Sequence, residues 1–545
     1  MSSKETRFSY VYKSLKCRIT EGLLLPGSRL PSSRVLKDEY QVSLFTINKV
    51  LAALREEGLI ELEPRRAARV CRLENERTFS ASVEAILSQK DFLLQLYQTM
   101  ELVLPPLLTF ASHGCKLEAM PHYRQVMKVK KNGDRAGGWR PVSGFLCDVL
   151  RNGGGDLPVD LYTALELQGR LGFFVDKQEA YTGYSLKKYF SQSDVFIRIL
   201  NVSDNRKKYF ELCRLYQALH AEIRTGLDQL AHTLPSLPLQ TETTFSWNPN
   251  RGREYRYIHI VQDLEIKIGT GIYPVGSYLP HEAELAQLYQ VSVSTVRSAL
   301  AILEQRTFTK TLNVKGTIVQ TPNLDALSPF TDKSTRQAAI RYLRALQFSS
   351  LIMEPISYYA ADLFQPADFI QLERRFAVPQ SILLNDIIET MMQRIGLPPL
   401  LVIMTEARRM TDWGYFLAFY KNKRQTIAAL NEKSLLAYQY LCKDDKKAFA
   451  HAVASCYHDI LDSVRKQLAT YFHLAEADSI LTPPFCLLEA VKLQYNEQPP
   501  CRYQRHRGCV SIIFLLTLRW HSLPVKNFQY FKPLGTYNIG GGYSL

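Results

Sequence analysis

The stretch Gln41–Leu54, QVSLFTINKVLAAL, returns 249 positions later as Gln290–Leu303, QVSVSTVRSALAIL. Each version runs Val-Ser, two variable residues, Thr, then an apolar series. Serine is a favoured helix N-cap, which places a helix start at Ser43 and again at Ser292. Ile47, Val50, Leu51 and Leu54 recur at i, i+3, i+4 and i+7, so one stripe of that helix is expected to be buried. The stripe leaves Phe45, Thr46, Asn48 and Lys49 facing outward at the helix start, and in the second version Ser294, Thr295, Arg297 and Ser298.

Working outward, the two versions align without a gap from Leu15–Val70 to Leu264–Val319, with 17 of 56 pairs identical. A repeat this widely spaced implies tandem domains and not a solenoid, whose units run roughly 20–50 residues. Val11, Leu15, Ile19 and Leu23 predict a first helix ending near Gly22. LPGSRLPSS, ending at Ser33, is turn chemistry in which Ser32 or Ser33 can cap a short second helix. Val42 is placed beneath the third helix, Gly58 ends it, and LIELEPRRAARVC reads as two short strands around a basic turn. Three helices and a β-hairpin make a winged helix-turn-helix. The predicted fold class is mainly α, with two such heads, each followed by an all-helical domain.

An exposed helix N-terminus of this shape fits the major groove, where donors and acceptors differ for each base pair. Asn48 suits a bidentate bond to adenine, and Arg297 one to guanine. The N-terminal amides, with Ser43, Thr46, Ser292 and Thr295, suit phosphate oxygens. From Tyr10 to Arg72 there are twelve Lys/Arg and seven Asp/Glu; from Arg253 to Thr321 the counts are seven and six. The first head is therefore expected to rely more on phosphate contacts, through Arg34, Lys49, Arg65, Arg66 and Arg69. The second is expected to read bases through Arg297.

These stretches resemble the DNA-binding domain of the GntR family of bacterial transcription regulators, whose pattern runs LPSER, then VSR-x-TVR, then EGLI, then a G-x-GTFV wing. PGSRLPSSRVLKDEYQVSLFTINKVLAALREEGLI, VGSYLPHEAELAQLYQVSVSTVRSALAIL and KGTIV carry the resemblance. It implies DNA contacts from the wing residues Lys315, Gly316 and Thr317. The departures differ between versions. The helix-two arginine is Arg34 in one and Ala283 in the other, and the arginine after Val-Ser is Leu44 or Val293. The arginine after Thr-Val is Asn48 or Arg297, and the wing glycine is Ala67 or Gly316. EGLI stands at Glu57–Ile60 but becomes RTFT at Arg306–Thr309.

The whole chain has 545 residues and a formal net charge of +15, which fits a polyanion partner. Its ten cysteines form no CxxC pair, unlike a disulfide framework or zinc ribbon. The start, MSSKETRFSYVYK, has no apolar signal core, and VSIIFLLTL at Val510–Leu518 is too short to span a bilayer. A cytoplasmic protein with no membrane partner is expected.

Behind each head the sequence turns helical, and LLQLYQTMELVLPPLLTFA aligns with LRALQFSSLIMEPISYYAA, Pro105 against Pro355. LHAEIRTGLDQL from Leu219 aligns with YHDILDSVRKQL from Tyr457. The expected domains are a first head over 1–75 and helical residues 76–233, a linker over 234–252, a second head over 253–322 and helical residues 323–494, then an irregular tail over 495–545. The resemblance implies that the helical parts sense a small-molecule effector and assemble, making the chain a covalent pseudo-dimer able to form a homodimer. Arg408 and Arg409 are candidate anchors for an anionic effector. The family's helical type often holds a metal through an Asp and three His; no Asp-x-x-x-His occurs, so no metal or cofactor is expected, and His451 and His458 are read as surface or core residues. Gly153–Gly155 lack the setting of a phosphate cradle and read as a loop.

The function expected is a sequence-specific, double-stranded-DNA-binding transcription regulator with two inequivalent heads, and not an enzyme. A scaffold with DNA-binding-defective heads is the first alternative. A fusion to a pyridoxal-phosphate domain is the second, and it needs an α/β domain and a Schiff-base lysine that the helical stretches do not suggest.

Overall fold

A computed structural model describes residues 7–483 except 21–26, 28, 41, 63–67, 72–83, 85, 133–139, 170–193, 233–237, 240–242, 248, 250–255, 270–271, 313–314, 322–332, 378–381, 413, 415–422 and 471. Gly22, Arg65, Arg66, Ala67, most of the expected linker and the whole tail from Tyr495 lie outside the described residues.

The first segment contains α1 (Arg7–Thr20), α2 (Ser33–Tyr40) and α3 (Leu44–Glu56), then β1 (Ile60–Glu61) paired antiparallel with β2 (Arg69–Val70). The expected stripe is buried: Val11, Leu15 and Ile19 of α1 meet Ile47, Val50, Leu51 and Leu54 of α3, with Val42 beneath. These residues form a core cluster confined to Val11–Val70 and the half-buried Phe8 and Tyr12.

Then come α4 (Lys90–Ala111), α5 (Tyr123–Asn132), α6 (Arg140–Gly154), α7 (Asp156–Gln168), α8 (Asp194–Leu200) and α9 (Asn205–Ala231). The second segment repeats the first order: α10 (Arg256–Gly269), α11 (Glu282–Leu288), α12 (Val293–Gln305), then β3 (Thr309–Leu312) antiparallel to β4 (Gly316–Val319). It is followed by α13 (Lys333–Ala361), α14 (Pro366–Phe376), α15 (Leu383–Arg394), α16 (Pro398–Asp412), α17 (Lys423–Cys442) and α18 (Lys446–Thr470).

Helices α4 and α13, whose sequences align on a shared proline, lie at the centre and pack on each other. α4 is buried along nearly its whole C-terminal half, as a helix apolar on all sides must be. α9 covers α4, and α18 covers α13. One apolar cluster runs through both helical stretches, from Ile86 to Leu230 and from Phe348 to Cys456. A second joins Val296, Leu300 and Leu303 of α12 to Tyr342, Leu343 and Leu346 of α13 and Leu461 and Leu468 of α18. The second segment is thus rooted in the helical body, whereas the first closes a core of its own.

Gly153–Gly155 are not the expected loop. α6 runs through Gly153 and Gly154, and only Gly155 leaves it, at φ +74°. A Cβ on Gly153 would stand 2.4 Å from the Ala111 Cα, so glycine is what lets α6 close on α4. Among the described residues no helix is long and apolar enough to cross a membrane.

Candidate nucleic-acid interface

Both outward-facing helices begin on the predicted caps. Ser43 is extended (φ −69°, ψ 153°) and its Oγ accepts the Thr46 N–H at 3.1 Å. Ser292 matches it (φ −72°, ψ 152°) and accepts the Thr295 N–H at 3.3 Å. Each serine hydroxyl also lies 2.8 Å from the following threonine hydroxyl. The first turn is therefore organised before any ligand arrives, and its remaining amides point outward along the helix axis.

The faces divide as the stripe requires. Ile47, Val50, Leu51 and Leu54 are buried, as are Val296, Ala299, Leu300 and Leu303. Phe45, Asn48, Lys49, Ser294, Arg297 and Ser298 are exposed, while Thr46 and Thr295 are half-buried. Lys49 lies with its Nζ 5.4 Å from the Phe8 ring centre, and Ser298 Oγ donates to the Ser294 carbonyl at 3.1 Å. Arg34 is exposed on α2.

The hairpins are tied to the turns before α2 and α11 by matching backbone bonds. Gly27 N–H donates to Val70 O at 2.8 Å and Gly276 N–H to Val319 O at 2.9 Å. Leu30 N–H reaches Ala68 O at 2.8 Å and Leu279 N–H reaches Thr317 O at 2.9 Å. The geometry needs φ near +81° at Gly27 and +88° at Gly276, a region that favours glycine. Arg69 Nε donates to the Gly27 carbonyl at 3.0 Å, so this candidate phosphate ligand also braces the hairpin. Lys315 is exposed and Gly316 turns at φ +98°, but Thr317 is buried beside Thr311, facing the protein.

Five further residues in these segments were not signalled by periodicity: Glu282 and two charge pairs, Lys16–Glu57 and Glu265–Arg306. Arg297 Nε donates to Glu282 Oε2 at 2.7 Å, so the candidate guanine reader is held by a carboxylate at the start of α11. The two charge pairs occupy matched positions with their polarity reversed between the segments. Lys16 Nζ stands 2.8 Å from Glu57 Oε2, and the matched positions hold Glu265 and Arg306, 2.6 Å apart. The first pair is partly exposed; the second is buried. Hydrogen bonds from Lys16 and Tyr12 hold the Glu57 carboxyl below the ordinary range. Burial pushes Glu265 up despite its arginine. The link from first to last helix is preserved although neither residue is, a pattern visible only when both partners are known.

Arg408 and Arg409 are both engaged, Arg408 with Glu389 at 3.1 Å and Arg409 with Glu406 at 2.6 Å. An anionic effector would compete with these carboxylates. His458 is half-buried, and the partial desolvation lowers its pKa; His451 lies 3.8 Å from Glu354. Among the described residues no group of three His, Cys, Asp or Glu is arranged to hold a metal.

Residues 9–70 and 256–319 each match the model of the bacterial regulatory proteins, gntR family. The chain carries two gntR-family segments. They are the two three-helix-and-hairpin units, and together they make up less than a quarter of the 545 residues. Among solved structures, Streptococcus agalactiae GntR matches at 18% identity over 38% of this chain and 99% of its own, with a TM-score of 0.18. A structure titled "Lar controls the expression of the Listeria monocytogenes agr system and mediates virulence" matches at 15% identity over 38% of this chain and 96% of its own, with a TM-score of 0.17. No curated protein matches the chain.

Proposed function

We propose that this chain is a cytoplasmic, sequence-specific transcription regulator of the GntR type that grips double-stranded DNA with two inequivalent winged heads. The observation that carries this reading is the pair α3 and α12. Both lie in family-matched segments, both are capped at the same register by serine, and both turn polar side chains to solvent. Their N-terminal turns suit the major groove, with the hairpins as wings on the flanking backbone. Arg34, Lys49, Arg69 and Lys315 supply phosphate contacts, as do Arg65 and Arg66; Asn48 and Arg297 supply base contacts.

The heads and helical parts arose by internal duplication and divided the work. A dimeric regulator presents identical heads to a palindrome; here the shared core of α4 and α13 joins two heads in one chain. The operator is therefore two unlike half-sites. A small-molecule effector acting on the helical body changes head spacing, and with it DNA affinity.

Selection of bound duplexes from a random pool, followed by footprinting, tests the reading. Two different half-sites are expected. A symmetric palindrome would remove the inequivalence, and duplex binding without sequence preference would favour a scaffold with inactive heads.

A further inference from the structure

The first turn of α3 exposes carbon where that of α12 exposes oxygen. Leu44 and Phe45 open α3 and are 42% and 78% exposed, although the buried stripe uses neither. The matched positions of α12 hold a half-buried Val293 and an exposed Ser294. Phe45 lies three residues before Asn48 and four before Lys49, so these exposed side chains form one continuous patch on the helix surface. The Ser43–Thr46 cap fixes the backbone beneath it.

The patch therefore combines an apolar centre, one amide and one cation, since Lys49 is held at the Phe8 ring. That chemistry matches the major-groove edge of A·T pairs. The thymine 5-methyl is the apolar group displayed there, and adenine N6–H donates to the oxygen of a side-chain amide while N7 accepts from its nitrogen. An arginine, by contrast, suits guanine, and α12 presents one.

We propose that Phe45, flanked by Leu44, reads thymine methyl groups, so that the half-site bound by α3 is recognised as A·T-rich through its methyls. This rests on the DNA-binding reading above. It adds a chemical class of target to one head and makes the two heads opposite in preference.

The test uses the full chain and the duplex it selects from a random pool. The half-site bound by α12 is marked as the one whose preference relaxes in Arg297→Ala. Thymines in the other half are then replaced singly by deoxyuridine, which removes the methyl and keeps the pairing. At one or two positions the exchange should weaken binding about fourfold, the value of one buried methyl; in the α12 half it should change nothing. Phe45→Ala should bind the thymine and deoxyuridine duplexes equally, and Phe45→Leu should keep the preference. Because Phe45 is exposed, the variants should melt like the parent, which a thermal scan checks.

A parent chain that keeps its sequence preference but ignores the methyl overturns this proposal and leaves the regulator standing. So does a Phe45→Ala chain that binds more weakly yet discriminates thymine from deoxyuridine as before. A parent chain with no preference among duplexes overturns both readings.

Discussion

Single residues carry the difference between the two segments. Arg297→Ala should relax discrimination at one base pair of one half-site by about 1–3 kcal/mol, and Asn48→Ala should do the same in the other half. Glu282→Gln should keep part of the Arg297 effect, since an amide still accepts the guanidinium N–H but holds no charge against it. Quantitative selection with each variant checks all three, and relaxation spread over both halves would contradict the assignment of readers to heads. The reversed charge pair makes a separate prediction about stability. Removing Arg306 alone leaves Glu265 buried and unpaired, which should destabilise the second segment by about 3–5 kcal/mol. Exchanging both, as Glu265→Lys with Arg306→Glu, should recover most of that loss.

The pH dependence of the two pairs should run in opposite directions. Glu57 is held below its unfolded value, so its contribution is present at neutral pH and fades as pH falls through the folded value. Glu265 is raised, so its contribution is present below the unfolded value and fades as pH rises through the folded one. Local amide exchange in α3 and α12 across the acid range should show the opposite trends, and Glu57→Gln and Glu265→Gln should each flatten one of them.

At the scale of elements, α3 and α12 are legible in the sequence alone. Ser43 and Ser292 cap, and the i, i+3, i+4, i+7 stripe is buried, because both signals are local and each helix has one wet face. The glycine run 153–155 departs from its local signal for the opposite reason. Glycine weakens a helix by roughly 1 kcal/mol relative to alanine, so three in succession argue for a loop, and only the approach of Ala111 explains why α6 keeps two of them. Gly153→Val should force α6 from α4 and lower stability by about 1–3 kcal/mol, readable as a reduced denaturation midpoint. Helix packing also governs the cysteines. Burial pushes the thiols of Cys147 on α6 and Cys213 on α9 up to about 12, and Cys456 on α18 up to about 11. Iodoacetamide at pH 8 should alkylate them slowly in the native chain and quickly in denaturant, as followed by mass spectrometry.

At the scale of the molecule, the two segments are anchored differently. The buried face of α12 continues into α13 and α18, while among the described residues the core of α1–α3 ends at Val70. Leu343→Ala, at the joint between the second segment and the helical body, should cost about 2–5 kcal/mol. It should raise amide exchange in α12 while leaving α3 as it was; equal effects on both would mean that the segments share one cooperative unit. On the proposed function one chain should saturate one full operator, measurable by sedimentation of the complex.

By itself the sequence determined the two repeated segments, their caps, their buried stripes and the side chains that α3 and α12 present. Those follow from short-range rules of periodicity and turn chemistry. The tertiary structure decided what depends on distant partners: that Thr317 faces inward, that Glu282 holds Arg297, that Lys16–Glu57 and Glu265–Arg306 are one link with its charges exchanged. It also decided that α4 and α13 bury a common core. Contacts across tens or hundreds of residues leave no period in the chain, because their energy comes from which surfaces meet and not from the order in which residues are joined.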